Sequence, residues 1–425
     1  MLLKFKKNIN FQYYNFLLIF LLSYSVFFNY IYFGLSVFIF FLLFGFSAKI
    51  SNSEKIIYQL LVILFYFKKF ILGFWNNNSS VWQSTFYENY VPYFPDFILV
   101  LEQINCNNVD TECLSVGGYG PLTYFISFPI NIDLVLSIYT ILLLLLTSYF
   151  VFYIFSRHKQ YSHLISVLLL SPTINLLLHQ MNIDLFFLLV ALYCIYKPET
   201  NSIIKSILIL IIALLKLHPA GLFVGLIIYS FLNKKKKLLY INLINLSGFL
   251  LLLTLFLFQQ NALMSSPRPS GLHNSIGLLS ISQYVWINLL SFTGQYRDVL
   301  IIYFLTSLAL LFIFYFIKKQ NYLEKVKINN AEFILTIWLG INYLYANYDY
   351  RNVLLVPIFF YCLSSGRKKE YISILLILIL SPLNTALSLY ILNILILIKI
   401  SIFFLLLMHL VNNLIIYLKS KTQDF

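Results

Sequence analysis

Apolar runs broken by short polar stretches recur along the chain from Phe11 to Leu418. A helix that crosses the hydrocarbon core of a bilayer needs ~20 apolar residues, with a range of about 17 to 25. On that measure the pattern predicts spans at 11–30, 31–47, 56–75, 132–155, 162–178, 184–196, 203–217, 219–233, 238–258, 298–317, 331–346, 352–365, 371–387 and 389–417. Some are short, notably 184–196 and 203–217, which suits half-buried or broken helices shielded by their neighbours. The start of the chain, with Lys4, Lys6 and Lys7 before an apolar run, has the charge order of a signal sequence. No small-residue cleavage site closes that run, so it is taken as a retained first span.

Composition agrees with this pattern. Of 425 residues, 60% are hydrophobic and 10% charged, too little polar surface to cover a soluble core of that size. The net charge of +14 would suit nucleic acid or anionic lipid, and its distribution decides between them. Basic residues sit in short clusters between apolar runs: Arg157 with Lys159, Lys197 with Lys205, 234–237, 318–327, 367–369, and Lys419 with Lys421. This is the positive-inside pattern of cytoplasmic loops. No basic stretch is long or interleaved with exposed aromatics, which argues against nucleic acid as a partner.

With the N-terminus inside, strict alternation puts every one of these clusters on the cytoplasmic side, together with both termini. Lys68 and Lys69, inside the third span, are the exception. The expected fold is an all-α, polytopic transmembrane helical bundle of about 11–14 spans. It comprises an N-terminal hairpin at 1–55 and a core at 56–418 that carries one long extracytoplasmic loop, 76–120. That loop holds Glu88, Asp96, Glu102, Asp110 and Glu112, and no Lys or Arg occurs between Phe70 and Ser156. A second outer loop, 259–297, contains Arg268, His273 and Arg297.

Ionisable groups near a span cost about 2.5 to 3.5 kcal/mol on insertion scales, so each is a functional candidate. The five polar groups that follow fall at the outer face. Asp96 follows Pro95 and opens a stretch in which Phe97, Val100, Leu101 and Ile104 recur at helical spacing; it either caps that helix or acts as a base. Tyr119, in Gly117-Gly118-Tyr119-Gly120-Pro121, lies where the loop returns to the membrane, a tight turn or an ordinary loop exit. Gln180, Asn182 and Asp184 stand between two spans, as a polar hairpin tip or as ligands, and Asp184, which begins an apolar helix, could also serve as its cap. Lys216 and His218 end a span facing outward, by snorkelling or to hold a phosphate. Tyr348, Asp349 and Arg351 form a late polar turn, in which the charges pair with each other or Arg351 anchors a second phosphate. Cys106 and Cys113 share the acidic loop, where an oxidising compartment would permit a disulfide. Cys194 and Cys362 fall within predicted spans and are expected in the core. No Cys or His spacing matches a metal site, and no phosphate-cradling Gly loop is present.

At these residues the chain resembles the GT-C class of integral-membrane glycosyltransferases, especially the polyprenol-phosphate-mannose-dependent mannosyltransferases of glycosyltransferase family 87 and their relatives. Pro95-Asp96-Phe97 resembles the acidic residue of that family's first long outer loop, and Tyr119-Gly120-Pro121-Leu122 is similar to the Tyr-Pro-Pro-Leu that ends it. Ser171-Pro172 with Gln180, Asn182 and Asp184, then Leu215-Lys216-Leu217-His218-Pro219, then 347–351, resemble later pieces in the same order. His218 stands where Tyr is usual.

The resemblance implies a hexosyltransferase, in a bacterial inner membrane, that moves mannose or another hexose from a polyprenyl-phosphate donor to a glycan or glycolipid acceptor at the outer face. It implies inversion at the anomeric carbon and no nucleotide donor. The catalytic carboxylate would be Asp96, with Asp110 and Glu112 behind it. Substrate would be held by Tyr119, Gln180, Asn182, Asp184, Lys216, His218, Tyr348, Asp349 and Arg351. The scheme requires no cofactor and no metal. The competing classes are an O-antigen-type polysaccharide polymerase, which typically relies on arginines in its large outer loops, and a lipid-linked glycan flippase or transporter, which more often shows internal repeats and mid-membrane breaks.

Overall fold

The structure, a computed structural model, describes residues 17–20, 22–23, 51–75, 122, 132–171, 173–174, 184–259, 275–276, 281, 328–344, 347–380 and 389–422. The described chain is almost wholly helical, and it divides into two compact units. Two helices, α10 (Lys368–Leu380) and α11 (Leu389–Thr422), have residues in both.

The first unit contains α1 (Asn52–Trp75), α2 (Ile132–Arg157) and α3 (Ser162–Leu169). α1 opens with a capping box. The Ser51 hydroxyl accepts from the Glu54 amide at 3.3 Å while the Glu54 carboxylate accepts from the Ser51 amide at 2.7 Å, which satisfies two amides that the helix leaves free. Tyr58, Leu61, Val62, Phe65 and Tyr66 form its buried stripe, at the three- and four-residue spacing of one helix face. α1 packs on α2 and α3. The Tyr66 hydroxyl donates to the Leu169 carbonyl, and the Ser166 hydroxyl to that of Tyr58. The span expected at 162–178 is not one helix: α3 ends at Leu169. Pro172 cannot donate to an earlier turn and biases Ser171 away from the helical region.

The second unit contains α4 (Asp184–Ile195), α5 (Ser202–Leu215), α6 (Gly221–Leu232), α7 (Lys236–Gln259), α8 (Asn330–Leu344) and α9 (Val356–Ser364). α8 is its core. Every residue from Phe333 to Leu339 is buried, the mark of a helix enclosed on all sides. α6 meets α8 most closely. A Cβ on Gly221 would lie 2.9 Å from Trp338 Cδ1, and one on Gly225 only 3.0 Å from the Ile334 carbonyl oxygen. Gly221-Leu222-Phe223-Val224-Gly225 is therefore a Gly-x-x-x-Gly contact, in which two missing side chains let backbones approach. Between α5 and α7 the contact is polar: Ser206 donates to Asn242 at 3.1 Å, and Asn245 donates to Ser206 at 2.9 Å.

One end of this unit is tied by two polar networks. Tyr229 donates to Glu199, Asn330 to the Tyr229 hydroxyl, Tyr417 to Asn330, and Asn233 to the Tyr417 hydroxyl. Arg367, only 1% exposed, donates to Glu332, to Glu370 at 2.9 Å, to Asn413 and to Ser365. Lys205 is also buried, and it donates to the carbonyls of Tyr196 and Lys197 at 2.6 and 3.0 Å, closing the C-terminus of α4 where the helix dipole favours a cation. Arg367 and Lys205 are thus internal clamps and not the solvated loop charges that their place in basic clusters suggests. Cys194 and Cys362 are buried thiols, as expected.

Among the described residues, two helical stretches, Lys236–Leu255 and Ile396–Lys421, are long and apolar enough to cross a membrane. Four shorter apolar helices, Phe186–Ile195, Ser202–Leu215, His218–Leu232 and Asn352–Ser364, accompany them.

Candidate functional site

The candidate site lies where α4 begins and α5 ends. α5 stops because Lys216 turns extended (φ −152°, ψ 130°), although its amide still donates to the Ile212 carbonyl at 3.0 Å. A single 3-10 turn, His218–Ala220, then leads into α6, with Pro219 in the first turn, where its missing amide is harmless. This break frees the Lys216 side chain from the helix direction. Its Nζ reaches Asp184 Oδ1 at 2.9 Å, and His218 Nε2 lies 3.6 Å from the same oxygen. The three side chains are 5%, 6% and 0% exposed for Lys216, His218 and Asp184.

Aromatic rings enclose the imidazole. Phe187, one turn along α4, is 6.2 Å away between centroids and tilted. Trp338 of α8 is also 6.2 Å away, its plane within 3° of parallel. The indole Nε1 donates to the His218 carbonyl oxygen at 2.9 Å. Two positively charged or chargeable groups therefore share one carboxylate oxygen in apolar surroundings, where a lone charge would be strongly disfavoured.

A backbone strap joins this end of the unit. β1 (Ser275–Ile276) pairs antiparallel with β2 (Asn347–Tyr348), Ser275 opposite Tyr348 and Ile276 opposite Asn347. The following 3-10 segment, Asp349–Leu355, packs against α4 and α9. Two polar loops far apart in sequence are thereby joined, and the second of them touches the helix that carries Asp184.

Compared with protein-family models, curated proteins and solved structures, the chain matches none.

Of the residues singled out in the sequence, Asp184, Lys216 and His218 are brought together. Tyr348, Asp349 and Arg351 are placed by their backbone, on the strap and the segment against α4. Asp96, Asp110, Glu112, Tyr119, Gln180 and Asn182 lie outside the described residues, as do Cys106 and Cys113. The geometry revises one expectation and bears out another. Lys216 does not snorkel, because a buried carboxylate lies within its reach. Asp184 is the first residue of α4, and its carboxylate faces Lys216. Among the described residues no three His, Cys, Asp or Glu side chains are grouped to hold a metal ion.

Trp338 and Phe187 are the site residues that sequence reasoning missed. Both sit inside apolar runs, where an aromatic ring reads as core. A usable signal was present for Trp338: an indole must place its N–H somewhere when buried.

Proposed function

We propose that this protein is a polytopic membrane glycosyltransferase that moves a hexose from a polyprenyl-phosphate donor to a lipid-linked or cell-envelope glycan at the outer face of the membrane. The observation that supports it best is the convergence of Asp184, Lys216 and His218. These come from two of the separate chain pieces that resemble the polyprenol-phosphate-dependent enzymes, and a third piece, 347–351, leads into the segment packed on α4. Exposed apolar side chains on α2 and α7, among them Leu134, Ile138, Ile141, Leu145, Ile244 and Leu251, suit contact with lipid.

The chemistry follows from charge. The donor is a phosphodiester, and its leaving group, a polyprenyl phosphate, gains negative charge as the anomeric C–O bond breaks. Cations held beside that phosphate favour the transition state over the ground state. Lys216 and His218 fill that role, with Arg351 as a second anchor. Asp184 becomes the counter-ion that keeps Lys216 aimed between turnovers. The acceptor hydroxyl loses its proton to a carboxylate as its oxygen bonds to the anomeric carbon from the opposite face. Asp96 is that carboxylate in this reading, with Asp110 and Glu112 as the alternatives.

The test is transfer of labelled sugar from polyprenyl-phosphate-mannose and polyprenyl-phosphate-glucose by membranes holding the wild type, Asp96→Asn or Lys216→Gln. Wild-type transfer, lost in both variants while each folds, is the expected result. Transfer retained by Asp96→Asn alone moves the base to Asp110 or Glu112. No transfer from any lipid-phosphate sugar across a broad acceptor panel contradicts the reading and favours a polymerase or a carrier.

A further inference from the structure

The turn that carries Lys216 and His218 lies between α5 and α6, with Lys216 ending the first and His218 opening the 3-10 turn that runs into the second. Besides its own backbone hydrogen bonds, it is held from another helix. Trp338 of α8 donates to the His218 carbonyl at 2.9 Å, and its ring lies parallel to the imidazole. The indole is wholly buried and rests over Gly221, where a Cβ would come within 2.9 Å of its Cδ1. The indole thus contacts the turn in three ways: through the backbone oxygen of His218, the side chain of His218, and the glycine that opens α6.

We propose that Trp338 is the positioning residue of this site. It locks the turn so that Lys216 Nζ and His218 Nε2 converge on one point, and it thereby sets the affinity for the lipid-linked phosphate. This rests on the reading of Lys216 and His218 as phosphate ligands. The two groups lie 2.9 and 3.6 Å from one carboxylate oxygen, so what the turn geometry controls is their convergence. An anionic phosphate oxygen needs the same convergence. A shift of the turn spreads the two donors and weakens both contacts together, leaving the reacting carboxylate untouched.

Trp338→Phe keeps a ring against His218 and removes the N–H. Gly221→Ala keeps the indole intact and displaces it. Gly340→Ala, on the same helix as Trp338 at a site with open space around it, is the control. The probe is a fluorescent short-chain polyprenyl phosphate, titrated into purified protein in detergent, with inorganic phosphate in a parallel arm.

Both Trp338→Phe and Gly221→Ala should bind the lipid phosphate roughly three- to tenfold more weakly, the range of one lost hydrogen bond. In the transfer assay kcat/KM should fall by at least the same factor, through a higher KM and a lower kcat together, because the two cations hold the phosphate before reaction and stabilise its growing charge during it. Gly340→Ala should bind as the wild type does. Should Trp338→Phe fail to fold, Gly221→Ala decides by the same criteria. Wild-type affinity in both variants, alongside loss in Lys216→Gln, overturns the positioning role and leaves the phosphate site standing. A fall in kcat with no loss of affinity for the lipid phosphate also overturns it. Failure of the folded wild type to bind the lipid phosphate, or inorganic phosphate competing equally well, overturns the functional reading itself.

Discussion

Asp184, Lys216 and His218 each attract notice in the sequence as a polar group set against an apolar run, yet nothing in the sequence joins Lys216 to Asp184. Pairing depends on α4 and α5 being neighbours and on the extended backbone at Lys216, which is why snorkelling and phosphate binding were the alternatives and an internal ion pair was not. The pair sets a clear expectation for stability. Asp184→Asn leaves a buried ammonium without its carboxylate and should cost about 3–5 kcal/mol, whereas the double variant with Lys216→Gln should recover much of that loss. Denaturant unfolding in detergent measures both, and equal losses for single and double variants would contradict a coupled pair. A pH effect belongs at the opposite end of the unit. The Lys235 ammonium 3.0 Å away, with the Tyr229 hydroxyl, holds the Glu199 carboxyl below its ordinary range despite some opposing burial. A depressed carboxylate contributes stability above its unfolded pKa, and that contribution is lost as pH falls through the folded value. Acid should therefore destabilise the wild type more than Glu199→Gln over that window. The difference is small because both side chains are about half exposed.

At the scale of elements, most helices were legible because apolar runs bounded by charge leave few alternatives. The expected span at 184–196 is α4, Asp184–Ile195, and that at 238–258 is α7, Lys236–Gln259. Where the reading failed, the cause is local. Ser171-Pro172 ends α3 early, and Asp349–Leu355 winds as a 3-10 segment before α9 begins near Pro357. The close packing of α6 on α8 was written in Gly221 and Gly225 and went unnoticed, because glycines in an apolar run give no periodic signal. It predicts opposite signs for one chemical change. Gly225→Ala sets a methyl against a backbone carbonyl that cannot move aside, and should destabilise by about 1–3 kcal/mol. Gly248→Ala and Gly340→Ala meet open space within their helices and should stabilise by about 0.5–1 kcal/mol through lower chain entropy. Unfolding midpoints of the three variants, compared in one detergent, check the contrast; a shared sign would contradict it.

For the whole molecule, composition alone pointed to lipid as the solvent, and charge distribution gave an orientation. Tyr229 meets Asn330 at one end of α6 and α8, while His218 meets Trp338 towards the other, so the two helices run antiparallel. Lysines at 234–237, 368–369, 419 and 421 fall on the elements tied together at the first of these ends. If the bundle is threaded as proposed, a cysteine at position 235 should react with an impermeant maleimide only in inside-out vesicles, and one at position 275 only in right-side-out vesicles. The same side for both would refute the orientation. What the sequence could not convey is how these ends are held, since Arg367 looks like one more loop cation until Glu332 and Glu370 are seen around it.

The claim that joins these scales is that the Lys216–His218 end of the second unit receives a lipid-linked sugar phosphate. Its most direct measurement is sugar transfer by purified protein in proteoliposomes supplied with radiolabelled polyprenyl-phosphate-hexose and a glycolipid acceptor. The account predicts transfer by the wild type, with inversion at the anomeric carbon, and none by a folded Lys216→Gln variant. Transfer by the two proteins at equal rates would contradict it.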